Sequence, residues 1–341
     1  MTEAFPIVAI ATGDPAGIGP EISMKAALDP GVRAVCHPVL FGEPTVIARH
    51  AKACGIKAAI RSVERPQDAD RVAKTLALYP CPSAEVGNIG FGSTSAASGR
   101  ASLAAAGQAI QAALSGQVDA VVAAPQNQTS ISLAGIVFDG YPSFVARQTG
   151  LDPRDVYLML CFETFKIVHC TLHVSIREAL TLITRERVRH VIAVADATLK
   201  RLGIVEPKIC VGGLNPHAGE GGLFGSEEAD IIKPAIDDAV AAGIHATGPF
   251  GADTMFHKTD ADAFIVMLHD QGHITAKLLA RNATAGLAIG SPILFSSVAH
   301  GSGHDIVGKG QASPKAMIEA ITRLAKAPRT QPACSRRVFS T

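Results

Sequence analysis

Apolar and polar positions follow two different periods along the chain. Compact apolar runs bounded by polar or turn-forming residues predict buried strands, and residues 166–173 predict a further strand because apolar and polar positions alternate there. These five predicted strands cover residues 7–11, 118–124, 166–173, 208–213 and 263–268. Three stretches with helical character cover residues 22–28, 101–114 and 313–326. Strands separated by helices predict an α/β fold with a largely parallel core.

The composition permits a large core and argues against some classes of partner. Of the 341 residues, 48% are hydrophobic and 18% are charged, and the formal net charge is +1. No run of lysine and arginine is long enough to follow a phosphate backbone, and the chain has no tryptophan and only three tyrosines. Nucleic-acid binding is therefore not expected.

The cysteine pattern and the first residues of the chain indicate the cellular compartment in which we expect the protein. The seven cysteines are scattered and form no CxxC pair, which is typical of reduced thiols rather than a disulfide framework. The first residues carry no basic segment, and their apolar run is only a few residues long. We expect neither a signal peptide nor a membrane span, and hence a cytoplasmic protein.

Three histidines stand at or just after the ends of predicted strands, namely His173, His217 and His269. Ligands of open α/β sheets collect at the carboxyl ends of strands, and three imidazoles with one open position can hold a catalytic divalent metal. Asp270 and Glu220 stand beside two of them. The alternative is that each is an ordinary loop histidine, and no fixed metal-binding spacing excludes it.

A glycine-rich segment at residues 298–310 is a candidate cofactor loop. His300, Gly301, Ser302 and Gly303 form a stretch in which backbone N–H groups can approach a ligand closely. The carboxylate of Asp305 could accept hydrogen bonds from a ribose or an adenine. The alternative is a plain surface loop.

Two side chains are candidates for proton transfer. Lys277 follows His269 among the apolar residues Ile274, Leu278 and Leu279, and burial beside a dication would lower the pKa of a lysine. Asp253 lies in a Gly-Ala-Asp-Thr turn. The alternatives are a surface lysine and a helix-capping aspartate.

Several motifs together resemble the 4-hydroxythreonine-4-phosphate dehydrogenase family of vitamin B6 synthesis. The matching strings are ATGDPAGIGPE, GLNPHAGEGG, GADT and HDQG, at residues 11–21, 213–222, 251–254 and 269–272. The segment HGSGHDIVGKG is also similar to the NAD-binding loop of isopropylmalate and isocitrate dehydrogenases. The resemblance covers nearly the whole chain.

The resemblance implies a two-lobed isopropylmalate/isocitrate-dehydrogenase-like α/β fold with mixed, largely parallel sheets. We expect residues 1–125 and 280–330 to form a first domain with the cofactor loop, residues 126–279 to form a second domain, and residues 331–341 to be a tail. The resemblance also implies a homodimer with its active site at the subunit boundary, and NAD as cofactor. A divalent metal (Zn, Mn, Co, Ni or Mg) would be held by His173, His217 and His269.

The chain departs from the family where phosphate or substrate is held. Gly-Tyr-Pro-Ser at residues 140–143 replaces the usual Gly-His-Thr, Gln128 replaces a lysine, and Phe295 replaces an arginine, while Asn282 matches a family asparagine. The terephthalate cis-dihydrodiol dehydrogenase branch of the family, whose enzymes are decarboxylating, resembles this chain at residues 140–143, 268–274, 277–280 and 296–302. On this interpretation Tyr141, Ser143, Asp270 and Phe295 face the substrate.

These resemblances predict a small-molecule enzyme that oxidises a hydroxyl β to a carboxylate and then releases CO₂. The preferred substrate is a cis-dihydrodiol carboxylate of aromatic degradation, with Lys277 or Arg281 available for its second carboxylate. One alternative is the 4-hydroxythreonine-4-phosphate dehydrogenase of pyridoxine biosynthesis. Alternatives from other classes are a phosphate acyltransferase-like enzyme and a non-catalytic metabolite-binding protein.

Overall fold

The computed structural model describes residues 5–70, 72, 74–83, 85–280 and 284–328. Twelve strands form one sheet, in the order β3-β4-β2-β1-β5-β12-β11-β6-β7-β10-β8-β9. The strands are β1 Ile7–Ala11, β2 His37–Gly42, β3 Ala59–Ser62, β4 Thr75–Pro80, β5 Ala120–Ala123, β6 Tyr157–Phe162, β7 Phe165–His169, β8 Lys208–Gly212, β9 His245–Phe250, β10 Ala263–Val266, β11 Ala285–Ile289 and β12 Phe295–Val298.

Eleven α-helices accompany these strands in the described chain. They are α1 Gly19–Leu28, α2 Pro30–Val35, α3 Pro44–Ala53, α4 Ala96–Leu114, α5 Gln128–Leu133, α6 Tyr141–Thr149, α7 Ile176–Leu182, α8 Arg185–Arg201, α9 Lys233–Ala241, α10 His269–Leu279 and α11 Lys315–Ala325. Strands β5 and β10 consist entirely of buried apolar residues. Such runs occur where a sheet is covered on both faces.

The sheet contains two groups of parallel strands that run in opposite directions. The pairs joining β3, β4, β2, β1, β5 and β12 are parallel, and so are those joining β7, β10, β8 and β9. Between the groups, β12 pairs with β11, β11 with β6 and β6 with β7, all antiparallel. Because these three successive pairs are antiparallel, the strands of the first group run opposite to those of the second group. The predicted mixed α/β architecture with a largely parallel sheet is confirmed.

The strand order also separates two parts of the sequence. Strand β11 and the first group come from residues 1–125 and 280–330, whereas β6 and the second group come from residues 126–279. The division into two domains at these boundaries stays a prediction.

The remaining expectations concern thiols and membranes. Six cysteines lie in the described part of the chain, and all are free thiols. Cys334 and the predicted tail at residues 331–341 lie outside the described residues. Within the residues that the structure describes, no helix combines the length and apolar character needed to cross a bilayer.

Candidate functional site

A cavity of about 760 Å³ lies beside the antiparallel centre of the sheet and is lined by residues of β6, β11 and β12 and of the segments around them. Leu158 and Leu160 of β6 and Gly286 of β11 contribute to its wall. The segments after β5 and β12 add residues 125–128 and 299–302. A space of this size suits a small substrate together with part of a cofactor.

Two of the three predicted metal-binding histidines, His173 and His269, line this cavity. Their ring centroids are 5.6 Å apart. The Nδ1 atom of His173 lies 2.7 Å from the carbonyl oxygen of Asp139, and that of His269 lies 2.7 Å from Oδ1 of Asp270. A ring nitrogen facing such an acceptor is the protonated one, so Nε2 of each ring is left as the lone-pair donor that a metal needs.

His217 stands apart from these two in the single chain, because it is not among the residues that line the cavity. Its Nδ1 atom lies 3.6 Å from Oδ2 of Asp253, which brings together two residues that the sequence proposed for different roles. In the described part of the chain, no three His, Cys, Asp or Glu side chains are close enough together to hold a metal.

The topology nevertheless places the three histidine loops side by side. His173, His269 and His217 follow β7, β10 and β8, which are adjacent and parallel, so the loops leave the same edge of the sheet. Gln271 links two of these loops, since its Nε2 donates to the carbonyl of Gly213 at 3.1 Å.

The loop that carries His217 has an unusual backbone. Residues 217–221 all have positive φ, among them His217 (52°), Ala218 (53°) and Glu220 (43°). For residues with a Cβ atom this left-handed conformation is unfavourable by about 1–2 kcal/mol each. The buried carboxylate of Glu228 holds the loop by accepting hydrogen bonds from the backbone of Leu214 and Asn215. Strain of this kind is typical of functional sites.

Sequence reasoning missed two further histidines beside His269. The imidazole of His273 stacks on that of His269 at 3.8 Å with an interplanar angle of 8°, and Nδ1 of His273 lies 3.1 Å from Nε2 of the buried His169. Burial and repulsion from nearby imidazoles lower the pKa of His169 to about 3 and that of His273 to about 4, so both rings are neutral at neutral pH. The i, i+4 spacing of His269 and His273 on α10 was the available signal.

The predicted environment of Lys277 differs from the one observed. Lys277 lines the cavity but is exposed, and its neighbours Ile274, Leu278 and Leu279 are 57%, 74% and 56% exposed. The expectation of a buried lysine is therefore wrong for the single chain. The side chain of Asp270 is 78% exposed.

The predicted substrate-facing residues of α6 and β12 are packed into one aromatic cluster. Tyr141 lines the cavity, and its hydroxyl donates to the carbonyl of Ala124 at 3.2 Å. Phe295 is buried behind it, with ring centroids 5.1 Å apart, and is not among the cavity-lining residues. The Ser143 hydroxyl is buried and donates to the Asp139 carboxylate. Burial raises the pKa of Tyr141, so its phenol stays protonated.

The candidate cofactor loop reaches the cavity through its first residues. His300, Gly301 and Ser302 line the cavity, and a Cβ atom added at Gly301 would meet no other atom. The loop is held against the segment between β1 and α1, because the backbone N–H of Ile18 donates to the carbonyl of Ser302 at 2.8 Å. A loop with an open backbone at a cavity wall fits a dinucleotide.

The second half of this loop lies beyond the cavity wall. Gly303 has a φ of 54°, and an added Cβ would lie 3.0 Å from the Ile18 side chain. Asp305 is exposed, and its carbonyl accepts a hydrogen bond from Nζ of Lys309 at 2.7 Å. Arg281 and Asn282, also considered from the sequence, lie outside the described residues.

Comparison with known proteins connects this site to a family. Residues 34–324 match the model of the pyridoxal phosphate biosynthetic protein PdxA family. A protein of Symbiobacterium thermophilum assigned as a D-threonate 4-phosphate dehydrogenase is 40% identical over 319 residues, covering 93% of this chain and 95% of that protein.

Two crystal structures are similar over almost the whole chain. A terephthalate 1,2-cis-dihydrodiol dehydrogenase of Burkholderia xenovorans LB400 is 40% identical, with a TM-score of 0.69, and the match covers 94% of this chain and 98% of that one. A 4-hydroxythreonine-4-phosphate dehydrogenase of Klebsiella pneumoniae is 34% identical, with a TM-score of 0.85, and the match covers 94% and 99%. These relatives are named for three different substrates.

Proposed function

The chain belongs to the PdxA family and is a dehydrogenase, and from that premise we propose that it oxidises a cyclic cis-dihydrodiol carboxylate. The reaction would use NAD and a divalent metal and would end in loss of CO₂. The dihydrodiol of terephthalate, the named substrate of one 40% identical relative, is the model compound.

The scarcity of positive charge in the cavity wall is the observation that supports this substrate. Among the described lining residues Lys277 is the one lysine, and there is no arginine. The segment after β5 supplies the neutral amides of Gln126, Asn127 and Gln128, and the ring of Tyr141 adds an apolar surface. A phosphate dianion prefers several charged donors, whereas a flat carboxylated ring needs one cation and an apolar wall.

The donor set fits the proposed metal. His173 and His269 each have a hydrogen-bond acceptor at Nδ1 and a free Nε2, and His217 has the Asp253 carboxylate on its Nδ1 side. A divalent metal held by these three residues would supply Lewis-acid polarisation of the substrate hydroxyl. Imidazole ligands accept Zn, Mn, Co or Ni, and Mg less readily.

A second subunit is part of the proposal, because one chain does not bring His217 to the cavity. Exposed apolar side chains flank the histidine loops: Ile176 and Leu180 on α7, and Ile274 and Leu278 on α10. An exposed apolar surface of this kind marks a protein interface. A homodimer that covers it would complete the histidine set and bury the surroundings of Lys277.

Different residues of this chain would serve different steps of the reaction. Residues 300–302, with the open backbone at Gly301, would hold the nicotinamide, which would supply a hydride acceptor for oxidation of the carbinol carbon. Lys277 would accept the hydroxyl proton, directly or through water. The resulting ketone is β to a carboxylate, so the C–C bond to CO₂ breaks and its electron pair enters the ring, which becomes an aromatic catechol after proton return.

The test is a paired kinetic measurement with the purified protein, NAD⁺ and added divalent metal. We expect kcat/KM for the terephthalate cis-dihydrodiol to exceed that for 4-phosphohydroxythreonine and D-threonate 4-phosphate. A phosphate that lacks two hydrogen bonds to charged donors, at roughly 1.5–3 kcal/mol each, should have a kcat/KM that is lower by about a hundredfold or more. An equal or higher value for either phosphate would contradict the proposed substrate.

The phosphorylated substrates form the second candidate class. It is favoured by the 40% identity to the protein assigned as a D-threonate 4-phosphate dehydrogenase, which equals the identity to the dihydrodiol enzyme. An acyltransferase-like or non-catalytic role, considered from the sequence alone, does not agree with membership in this dehydrogenase family.

A further inference from the structure

Two histidines outside the proposed metal-binding set form a continuous contact with His269. His273 lies one helical turn after His269 on α10, and the two rings stack in parallel with centroids 3.8 Å apart. His169, the last residue of β7, is 1% exposed and lies beneath His273, with ring centroids 4.7 Å apart. The stack therefore rests on a buried residue of the sheet rather than on solvent.

The hydrogen bonds identify which ring nitrogen donates and which accepts between His273 and His169. Nδ1 of His169 faces the carbonyl oxygen of Leu158 at 3.4 Å, so that nitrogen carries the proton and Nε2 of the same ring is an acceptor. Nδ1 of His273 then donates to Nε2 of His169 at 3.1 Å, and it also lies 3.3 Å from the carbonyl of His269. A chain of contacts thus runs from the backbone of β6 through two imidazoles to the face of His269.

Gly272 makes the close approach possible. A Cβ atom at this position would lie 2.4 Å from Nε2 of His169 and 2.9 Å from Cγ2 of Ile167. Real Cβ atoms do not come so close, so any side chain here would push α10 away from β7. The Gly-His pair at residues 272–273 therefore serves to bring the helix and the buried histidine together.

We propose that His273, anchored by His169, is a positioning residue that fixes the plane of the His269 imidazole for metal binding. This inference rests on the proposed function, because His269 must be a ligand. Asp270 holds one edge of the His269 ring through Nδ1, at 2.7 Å, but leaves rotation about that contact open. The parallel stack removes this freedom, and outer-shell partners of metal-binding histidines typically change affinity by roughly 10–100-fold.

The experiment measures metal binding directly. Co²⁺ affinity and the visible absorption spectrum are recorded for the wild-type protein and for His273→Leu, His273→Asn and His273→Gln. The leucine variant removes the ring and the donor, the asparagine variant keeps a donor near the Nδ1 position, and the glutamine variant places it near Nε2. Thr275→Ala is the matched control, since the Thr275 hydroxyl bonds only within α10.

We expect the Kd for Co²⁺ to rise about 10–100-fold in His273→Leu with a changed absorption spectrum, and to recover partly in His273→Asn. The KM for NAD⁺ should stay unchanged. An unchanged Kd and spectrum in His273→Leu would overturn the proposal. If that variant does not fold, equal Kd values for the asparagine and glutamine variants would overturn it instead.

His269→Ala separates this inference from the proposed function. If the wild-type protein binds no Co²⁺, or if His269→Ala binds it as tightly, the metal-dependent function itself fails. If His269→Ala abolishes binding while His273→Leu leaves it intact, only the positioning role of His273 fails.

Discussion

Nε2 of His304 lies 2.7 Å from Oδ2 of Asp14, and this contact joins two loops that are 290 residues apart in the sequence. Asp14 is 1% exposed, and its carboxylate also accepts hydrogen bonds from the backbone of Ala16 and the hydroxyl of Ser98. The loop that begins at His300 is thus fastened to a buried carboxylate just beyond its cavity-lining part. The geometry of the proposed cofactor loop depends on this attachment.

Replacing His304 with leucine should loosen the cofactor loop. A lost hydrogen bond to a charged group corresponds to roughly 1.5–3 kcal/mol, so we expect the KM for NAD⁺ to rise about tenfold or more. His304→Gln keeps a donor near the position of Nε2 and should lie close to the wild type. Steady-state kinetics at varied NAD⁺ checks this, and an unchanged KM in His304→Leu would restrict the contact to a role in stability.

The strands were predictable where burial on both faces gives an uninterrupted apolar run. Strand β1 has the predicted bounds, and β8 and β10 differ from the predictions by one and two residues at their ends. Helix α4 begins at Ala96, five residues before the predicted start, because Ser95 caps it by accepting a hydrogen bond from the backbone N–H of Ser98. The small and polar first turn of this helix gives no hydrophobic periodicity.

The antiparallel centre of the sheet and the histidine stack could not be read from the sequence, because both depend on long-range pairing. Strand β6 pairs with β11, more than a hundred residues later, and nothing local specifies the direction. His169 and His273 are likewise 104 residues apart, and their contact follows from the β7–β10 pairing. The cavity-lining positions of His173 and His269 were predictable from the rule that strand ends collect ligands.

Stability should fall as the pH drops below about 6.5, and His50 should contribute to that fall. Burial lowers the pKa of His50 below its usual 6.5, although a hydrogen bond between Nε2 and the carbonyl of Pro15 opposes the shift. The unfolded chain therefore binds a proton more readily, so the stabilisation by neutral His50 is complete above the unfolded pKa and is lost on acidification, by at most about 1.4 kcal/mol per pH unit.

His50→Gln isolates this contribution, because glutamine keeps a donor near the Nε2 position but does not titrate. Urea unfolding of the metal-free protein at about pH 7.5 and about pH 5.5 gives the two free energies of unfolding. We expect a smaller difference between them in His50→Gln than in the wild type. Equal differences would show that His50 is not neutral in the folded protein at the lower pH.

Replacing His217 with alanine should abolish metal binding and turnover without unfolding the protein. The side chain is exposed, so its loss opens no cavity in the core. His245→Ala is the matched control, because His245 is also exposed but begins the edge strand β9. Metal content by elemental analysis and thermal unfolding check this. Full stoichiometry in His217→Ala would remove His217 from the proposed set of ligands.

The cofactor should be NAD rather than NADP, because the candidate loop carries the carboxylate of Asp305, which on the proposed function would face the ribose and would repel a 2′-phosphate. Asp305 is exposed, and the nearby ammonium of Lys309 donates to its backbone carbonyl. Two negative charges about 4 Å apart near a protein surface repel by ~1–4 kcal/mol, so we expect kcat/KM to favour NAD⁺ by about tenfold or more. Asp305→Asn removes the charge but keeps the hydrogen-bonding shape, and should narrow this preference, while Asp305→Glu should keep it. A wild-type enzyme that uses NADP⁺ more efficiently would refute the assignment, and an unchanged ratio in Asp305→Asn would mean that this carboxylate does not face the ribose.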